Sequence, residues 1–145
     1  MEKIAVLDDD KHWCLAVQRF FRDTFEVSIF SDAYSLLADL EKDPKRYELI
    51  MIDLSLPPTQ YREINGRKLI QHLREILPEP PLLVLVTAFI SKKDLESGEV
   101  ICKEADAFLG KDGGLDDILL SLQQLISYHK NSSNSNLKFN HRSRW

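Results

Sequence analysis

Glu48-Leu49-Ile50-Met51-Ile52-Asp53 sets four apolar residues in a row and closes them with a carboxylate. A continuous apolar run of this length, bounded by polar residues, predicts a strand buried on both faces. Asp is a poor strand residue and costly to bury. Asp53 therefore belongs at the strand's carboxyl end, the edge where open α/β sheets bind ligands. An Asp in this place can equally start a turn ahead of Pro57-Pro58, so the neighbouring elements must decide.

Upstream, Ile4-Ala5-Val6-Leu7 is a second apolar run, stopping at Asp8-Asp9-Asp10. From His12 to Thr24, Trp13, Ala16, Val17, Phe20 and Phe21 recur at helical spacing, with Asp10 as N-cap. Glu26 to Phe30 reads as a strand. Ser31 or Asp32 then caps a helix carrying Ala33, Leu36, Leu37 and Leu40, which ends at Asp43-Pro44 because Pro cannot continue it. Downstream of Asp53 comes a long polar loop, Leu54 to Asn65. Gly66 leads into a helix with Leu69, Ile70, Leu73, Ile76 and Leu77 on one face. Leu82 to Thr87 is the most apolar strand of all. Ser91 to Glu104 is a weaker helix, with Gly98 inside it at a cost of about 1 kcal/mol relative to Ala. Ala107-Phe108-Leu109 makes a short fifth strand ending near Lys111, and Gly113-Gly114 a turn. Leu115, Ile118, Leu119, Leu122 and Ile126 form a last helical stripe, with Leu120 and Leu125 off it as candidate partner or dimer contacts. The alternation of strands and helices predicts a doubly wound, five-stranded parallel sheet with five helices, an α/β fold.

The chain of 145 residues fits one domain, and 43% hydrophobic with 29% charged residues is ordinary for a globular protein. The net charge of −4 is uneven: no acidic residue follows Asp117, while Lys130, Lys138, Arg142 and Arg144 do. The acidic body argues against direct nucleic-acid binding. Residues 1–129 are expected to form the folded unit and residues 130–145 a flexible, polar, basic tail. Cys14 and Cys102 lack metal-like spacing and fit reduced thiols in a cytoplasmic protein, and the four histidines offer no zinc pair. The opening Met-Glu-Lys and early aspartates do not suit a signal peptide, and no stretch suits a membrane span.

The predicted strand ends bring together Asp8 and Asp9, Asp53, Thr87 and Lys111. Clustered carboxylates repel unless a cation joins them. Carboxylate oxygens suit Mg²⁺, which completes its shell with water and phosphate oxygens. A hydroxyl and an ammonium beside the same point suit a phosphoryl group, and Asp can form an acyl phosphate. The pattern points to Mg²⁺-dependent phosphoryl transfer onto an aspartate. Singly, each residue has a structural role open to it, as helix cap, strand-end Thr or solvated Lys.

Over Lys3 to about Tyr128 the chain resembles the receiver domain of two-component response regulators. The resemblance rests on Ile4 to Asp10, on Ile50-Met51-Ile52-Asp53-Leu54-Ser55-Leu56-Pro57, on Val84-Leu85-Val86-Thr87-Ala88, and on Ala107-Phe108-Leu109-Gly110-Lys111. It implies a flavodoxin-like sheet in the order 2-1-3-4-5. It implies Asp53 as phosphoacceptor, Asp9 as a direct Mg²⁺ ligand, Asp8 as one acting mainly through water, and the Ser55 carbonyl as a further ligand. Thr87 and Lys111 would hold phosphoryl oxygens, and Thr87 and Phe108 would form the switch. The implied partners are a sensor histidine kinase or phosphotransfer protein, and a downstream protein target met by the fourth predicted helix, fifth strand and fifth helix. Such a protein is a phosphoacceptor switch rather than an enzyme, lies in the cytoplasm and needs no membrane.

Three departures stand out. Asp112 follows Lys111 where the family usually has Pro, which predicts a more flexible or differently shaped loop before the last helix. The stretch from Pro57 to Gly66 is about five residues longer than usual, beside the site. Phe108 lacks the hydroxyl a Tyr would offer. Two rival readings fit parts of the pattern. A haloacid-dehalogenase-like phosphatase would use Asp8-Asp9-Asp10, but it leaves Asp53 unexplained and sets Asp116-Asp117 in a helix. A receiver-shaped binding module would signal without phosphate. Phe89, two residues past Thr87, is expected to slow water attack on the acyl phosphate. No effector domain is expected after Ile126, so the chain reads as a stand-alone receiver, a relay intermediate or a fragment.

Overall fold

The apolar run forms a strand, β3, over Leu49–Asp53, and every one of its residues is buried. The structure is a computed structural model that describes residues 1–54, 66–77, 81–88 and 102–134, with side chains to residue 131. Around β3 lie β1 (Glu2–Leu7), β2 (Phe25–Phe30), β4 (Leu82–Thr87) and β5 (Ala107–Gly110). All pairings are parallel, and the five-stranded sheet runs β2-β1-β3-β4-β5, as the sequence predicts.

The helices are α1 (Lys11–Phe21), α2 (Ala33–Lys42), α3 (Gly66–Ile76) and a final helix, Leu115–Asn134. Successive side chains of a strand point to opposite faces, and the core divides accordingly. Ile4, Val6, Leu49, Met51, Val84 and Val86 pack on one face with Val17 and Phe21 of α1 and Ile118, Leu122 and Ile126 of the final helix. Ala5, Leu7, Ile50, Ile52, Leu83 and Leu85 pack on the other with Leu36 and Leu40 of α2 and Leu69, Ile70 and Leu73 of α3. Helices on both faces make the sheet doubly wound. Each fully buried Leu, Ile or Val contributes about 1.5–3 kcal/mol relative to exposure, which is why the central strands tolerate no polar residue until their carboxyl ends.

Caps fix the helix starts. Asp10 accepts hydrogen bonds from the backbone N–H groups of His12 and Trp13, and Asp32, not Ser31, does the same for Ser35. α1 stops at Phe21, short of the predicted Thr24; beyond it Thr24 N–H turns back to donate to the Phe21 carbonyl.

Two expectations for the final helix are corrected. Leu125 is buried on the second core face rather than offered to a partner, whereas Leu120 is exposed as expected. The final helix continues through Lys130 to Asn134, residues that the sequence assigns to the tail. Helical hydrogen bonding needs no apolar side chains, and Lys130 Nζ reaches Glu2 Oε2 at 3.6 Å. Of the predicted helix Ser91–Glu104, residues 91–101 lie outside the described residues, while Lys103 and Glu104 form a turn leading to β5. Ser55, the stretch from Pro57 to Asn65, Phe89, Gly98 and the residues after Asn134 also lie outside them. Among the described residues no helix is long and apolar enough to cross a membrane.

Candidate functional site

Strand register alone assembles the site. Leu7 pairs with Ile52, so Asp8 continues β1 beside Asp53. Asp53 pairs with Val86, which sets Thr87 one step beyond it on the other side. Thr87 pairs with Gly110, and Lys111 comes next. Four strands thus deliver two acids, a hydroxyl and an amine to one edge, as the sequence predicts.

Asp8, Asp53 and Thr87 are the described chain's buried polar or charged residues, exposed by only 2%, 4% and 2%. Asp8 is held by its backbone on both sides. Its N–H donates to the Phe30 carbonyl at 3.0 Å, and its own carbonyl accepts from the Cys14 thiol at 3.5 Å. Asp8 Oδ1 accepts from Asp10 N–H at 2.9 Å. Asp8 Oδ2 pairs with Lys111 Nζ at 2.7 Å. Lys111 Nζ is 3.9 Å from Asp53 Oδ2.

Burial pushes the Asp8 carboxyl above its ordinary range, and the Asp53 charge adds to this; Lys111 and the Asp10 N–H pull the other way. Burial also drives the Cys14 thiol up to about 11, helped by the Asp8 charge, so this cysteine is a structural donor and not a nucleophile.

Carboxylate oxygens of Asp8, Asp9 and Asp53 all lie within 4.8 Å of one another, with Asp9 exposed and the other two buried. Hard oxygen donors in this number fit a divalent cation that keeps part of its water shell. The cluster could hold such an ion through these three residues. Ser55, the fourth expected ligand, lies outside the described residues.

Lys111 opens a short 3-10 turn, Lys111–Gly113, which ends on Gly114 at φ 91°. That left-handed backbone favours glycine. Phe108 pairs in register with Leu85 and packs, partly buried, against the α2–α3 core face. Asp116 and Asp117 sit in the first turn of the final helix, away from any strand end.

Sequence reasoning missed two neighbours of the site, Trp13 and Cys14. The Lys111 ammonium lies 4.3 Å from the centroid of the Trp13 ring. Trp13 falls on the apolar stripe of α1, and nothing in a helical periodicity separates a core aromatic from one that faces a lysine.

The family model of the response regulator receiver domain matches residues 4–123. The chain belongs to that family. Solved structures share its fold. The Francisella response regulator 1452 receiver domain is 22% identical with a TM-score of 0.71, covering 89% of this chain and 99% of that one. A CheY-like receiver domain protein from Methanospirillum hungatei is 20% identical with a TM-score of 0.73, covering 91% and 98%. A response regulator from Burkholderia pseudomallei, described with a phosphorylated aspartic acid, a calcium ion and citrate, is 21% identical with a TM-score of 0.64, covering 95% and 76%. No curated protein matches the chain.

Proposed function

We propose that this receiver domain is a phosphorylation-controlled switch whose phosphoacceptor is Asp53. The observation that carries this reading is the convergence of Asp8, Asp9 and Asp53 with the Lys111 ammonium at one sheet edge. The phosphorylated aspartic acid of the Burkholderia regulator, on the same fold, supports it.

In this reading a carboxylate oxygen of Asp53 attacks the phosphorus of a phosphohistidine on a sensor histidine kinase or phosphotransfer protein. An O–P bond forms, the P–N bond breaks, and the imidazole leaves with a proton. A small phosphodonor such as acetyl phosphate serves equally. Asp8, Asp9 and Asp53 would hold Mg²⁺, with Ser55 as the further ligand that the family resemblance implies. When bound, the ion offsets repulsion between the anionic nucleophile and the anionic donor. Lys111 pairs with one phosphoryl oxygen and Thr87 donates its hydroxyl to another. The new dianion draws Thr87 inward, and Phe108 follows. The change biases two arrangements of the surface that includes β5 and the final helix, which a downstream protein reads. Two free cysteines and an acidic body suit a cytoplasmic protein with protein partners and no direct contact with nucleic acid.

Incubation with acetyl phosphate and MgCl₂, followed by mass spectrometry, tests this. One phosphoryl group per chain is expected, on Asp53, and none in Asp53→Asn. Persistence of the modification in Asp53→Asn would overturn the assignment. Steady turnover of a phosphate ester would instead make the protein a phosphatase.

A further inference from the structure

Lys111 ends in an ammonium bounded on two sides by carboxylates, Asp8 at 2.7 Å and Asp53 at 3.9 Å. The third boundary is neutral. The Trp13 ring lies 4.3 Å from Nζ, well inside the roughly 6 Å over which an aromatic face attracts a cation.

That ring is not free to wander. Trp13 N–H donates to the Asp10 carboxylate at 3.1 Å, which fixes the first turn of α1 under it. The side chain is half-buried and packs against the core face that α1 shares with the final helix. Lys111 arrives from a different element, the turn after β5. The contact therefore joins two segments far apart in the chain, each anchored by itself.

An aromatic face and a carboxylate differ as holders of an amine. Each carboxylate oxygen spent on Lys111 is one less for a metal ion. A π face attracts the ammonium without occupying a ligand oxygen. An ammonium held by the acids alone would settle among them and compete for the cation. One held in part by the ring stops at Asp8, 2.7 Å away, and stays 3.9 Å from Asp53.

We propose that Trp13 is a positioning residue: its ring face holds the Lys111 ammonium beside Asp8 and short of Asp53, ready for an incoming phosphoryl oxygen. The proposal rests on the reading of Asp53 as phosphoacceptor. It adds an aromatic residue of α1 that acts only through Lys111.

The test compares wild type, Trp13→Leu, Trp13→Phe, Lys111→Met and Trp13→Leu/Lys111→Met. Leu keeps apolar bulk but removes the π face, and Phe restores it. With acetyl phosphate and saturating MgCl₂, Trp13→Leu should slow phosphorylation of Asp53 by roughly threefold to thirtyfold. Trp13→Phe should recover most of the rate. On the residual rate of Lys111→Met, Trp13→Leu should have no further effect. Urea unfolding of the same chains, without any phosphodonor, gives a second cycle, in which the two losses should fall short of additivity. Additive unfolding losses overturn the pairing. Coupled unfolding with an unchanged Trp13→Leu rate overturns the positioning role, as does an equal slowing in the presence and absence of Lys111. A wild-type chain that accepts no phosphoryl group overturns the phosphoacceptor reading instead, while the unfolding cycle still judges the pair.

Discussion

The Lys111 ammonium is paired with Asp8, 2.7 Å from its Oδ2. One protein cation thus already offsets part of the charge of the three-aspartate cluster, and the exposed Asp9 remains the open side. A divalent ion held by this cluster would stabilise the fold, and Asp9 would set how strongly.

Addition of MgCl₂ should raise the melting temperature beyond what NaCl achieves at equal ionic strength. A ligand that binds only the folded state contributes about 2.7 kcal/mol at a hundred times its dissociation constant. In Asp9→Asn that difference between the salts should shrink to near zero. Thermal unfolding followed by circular dichroism checks it, and an equal response of both chains would refute it.

Gly66 admits no side chain. A Cβ there would run into the Asp53 carbonyl oxygen and stand 2.9 Å from Leu54 Cα, both backbone atoms that cannot swing aside. Ala is ordinarily the better helix former by about 1 kcal/mol, yet overpacking costs about 1–3 kcal/mol. Gly66→Ala should therefore lower stability in urea unfolding. It should also slow acetyl-phosphate labelling of Asp53, because the strand end has to shift.

Arg74 of α3 braces the entry to β5. Its Nε donates to the Glu104 carbonyl at 2.9 Å, and its guanidinium pairs with Asp106. The same Asp106 oxygen accepts from Leu83 N–H of β4 at 2.8 Å. Both partners are largely buried, so Arg74→Leu strands a carboxylate and should cost about 3 kcal/mol. Arg74→Leu/Asp106→Asn should recover part of that loss, since Asn still accepts from Leu83 without carrying charge. A double variant no more stable than the single one would contradict this account.

Cys14 supplies a pH signature. Its thiol ordinarily ionises near 9 but is pushed up to about 11 in the fold, chiefly by burial. Below the lower value both states hold the proton. Between the two values only the folded state does, so its stability must fall as pH rises across that window. Cys14→Ala should flatten that part of the stability profile above about pH 9. At about pH 8 the native thiol should resist iodoacetamide and label only on unfolding, because the thiolate is the nucleophile.

Much of this was legible in the chain. Apolar runs of β1, β3 and β4, each ending on a polar residue, define both the buried strands and the edge where their ends meet. Asp8, Asp53, Thr87 and Lys111 followed from that edge. What escaped depends on distances no periodicity encodes. Trp13 satisfies the stripe of α1 whether it faces core or lysine. Leu125 looked peripheral because the stripe was drawn too narrow, although Ile118, Leu122, Leu125 and Ile126 form a regular i, i+4, i+7, i+8 face. Lys130 to Asn134 looked like a tail because helical hydrogen bonding leaves no mark on composition.

The close approach of Gly66 to Asp53 has a further consequence. Leu54 leaves β3 and α3 begins against the same peptide, so the two anchors of the intervening chain stand at one spot. Points held together by backbone contact do not depend on how much chain joins them, and each doubling of a flexible connection costs only about 0.6 kcal/mol. The end of β3 that carries Asp53 thus keeps its address whatever the length of the segment that follows it.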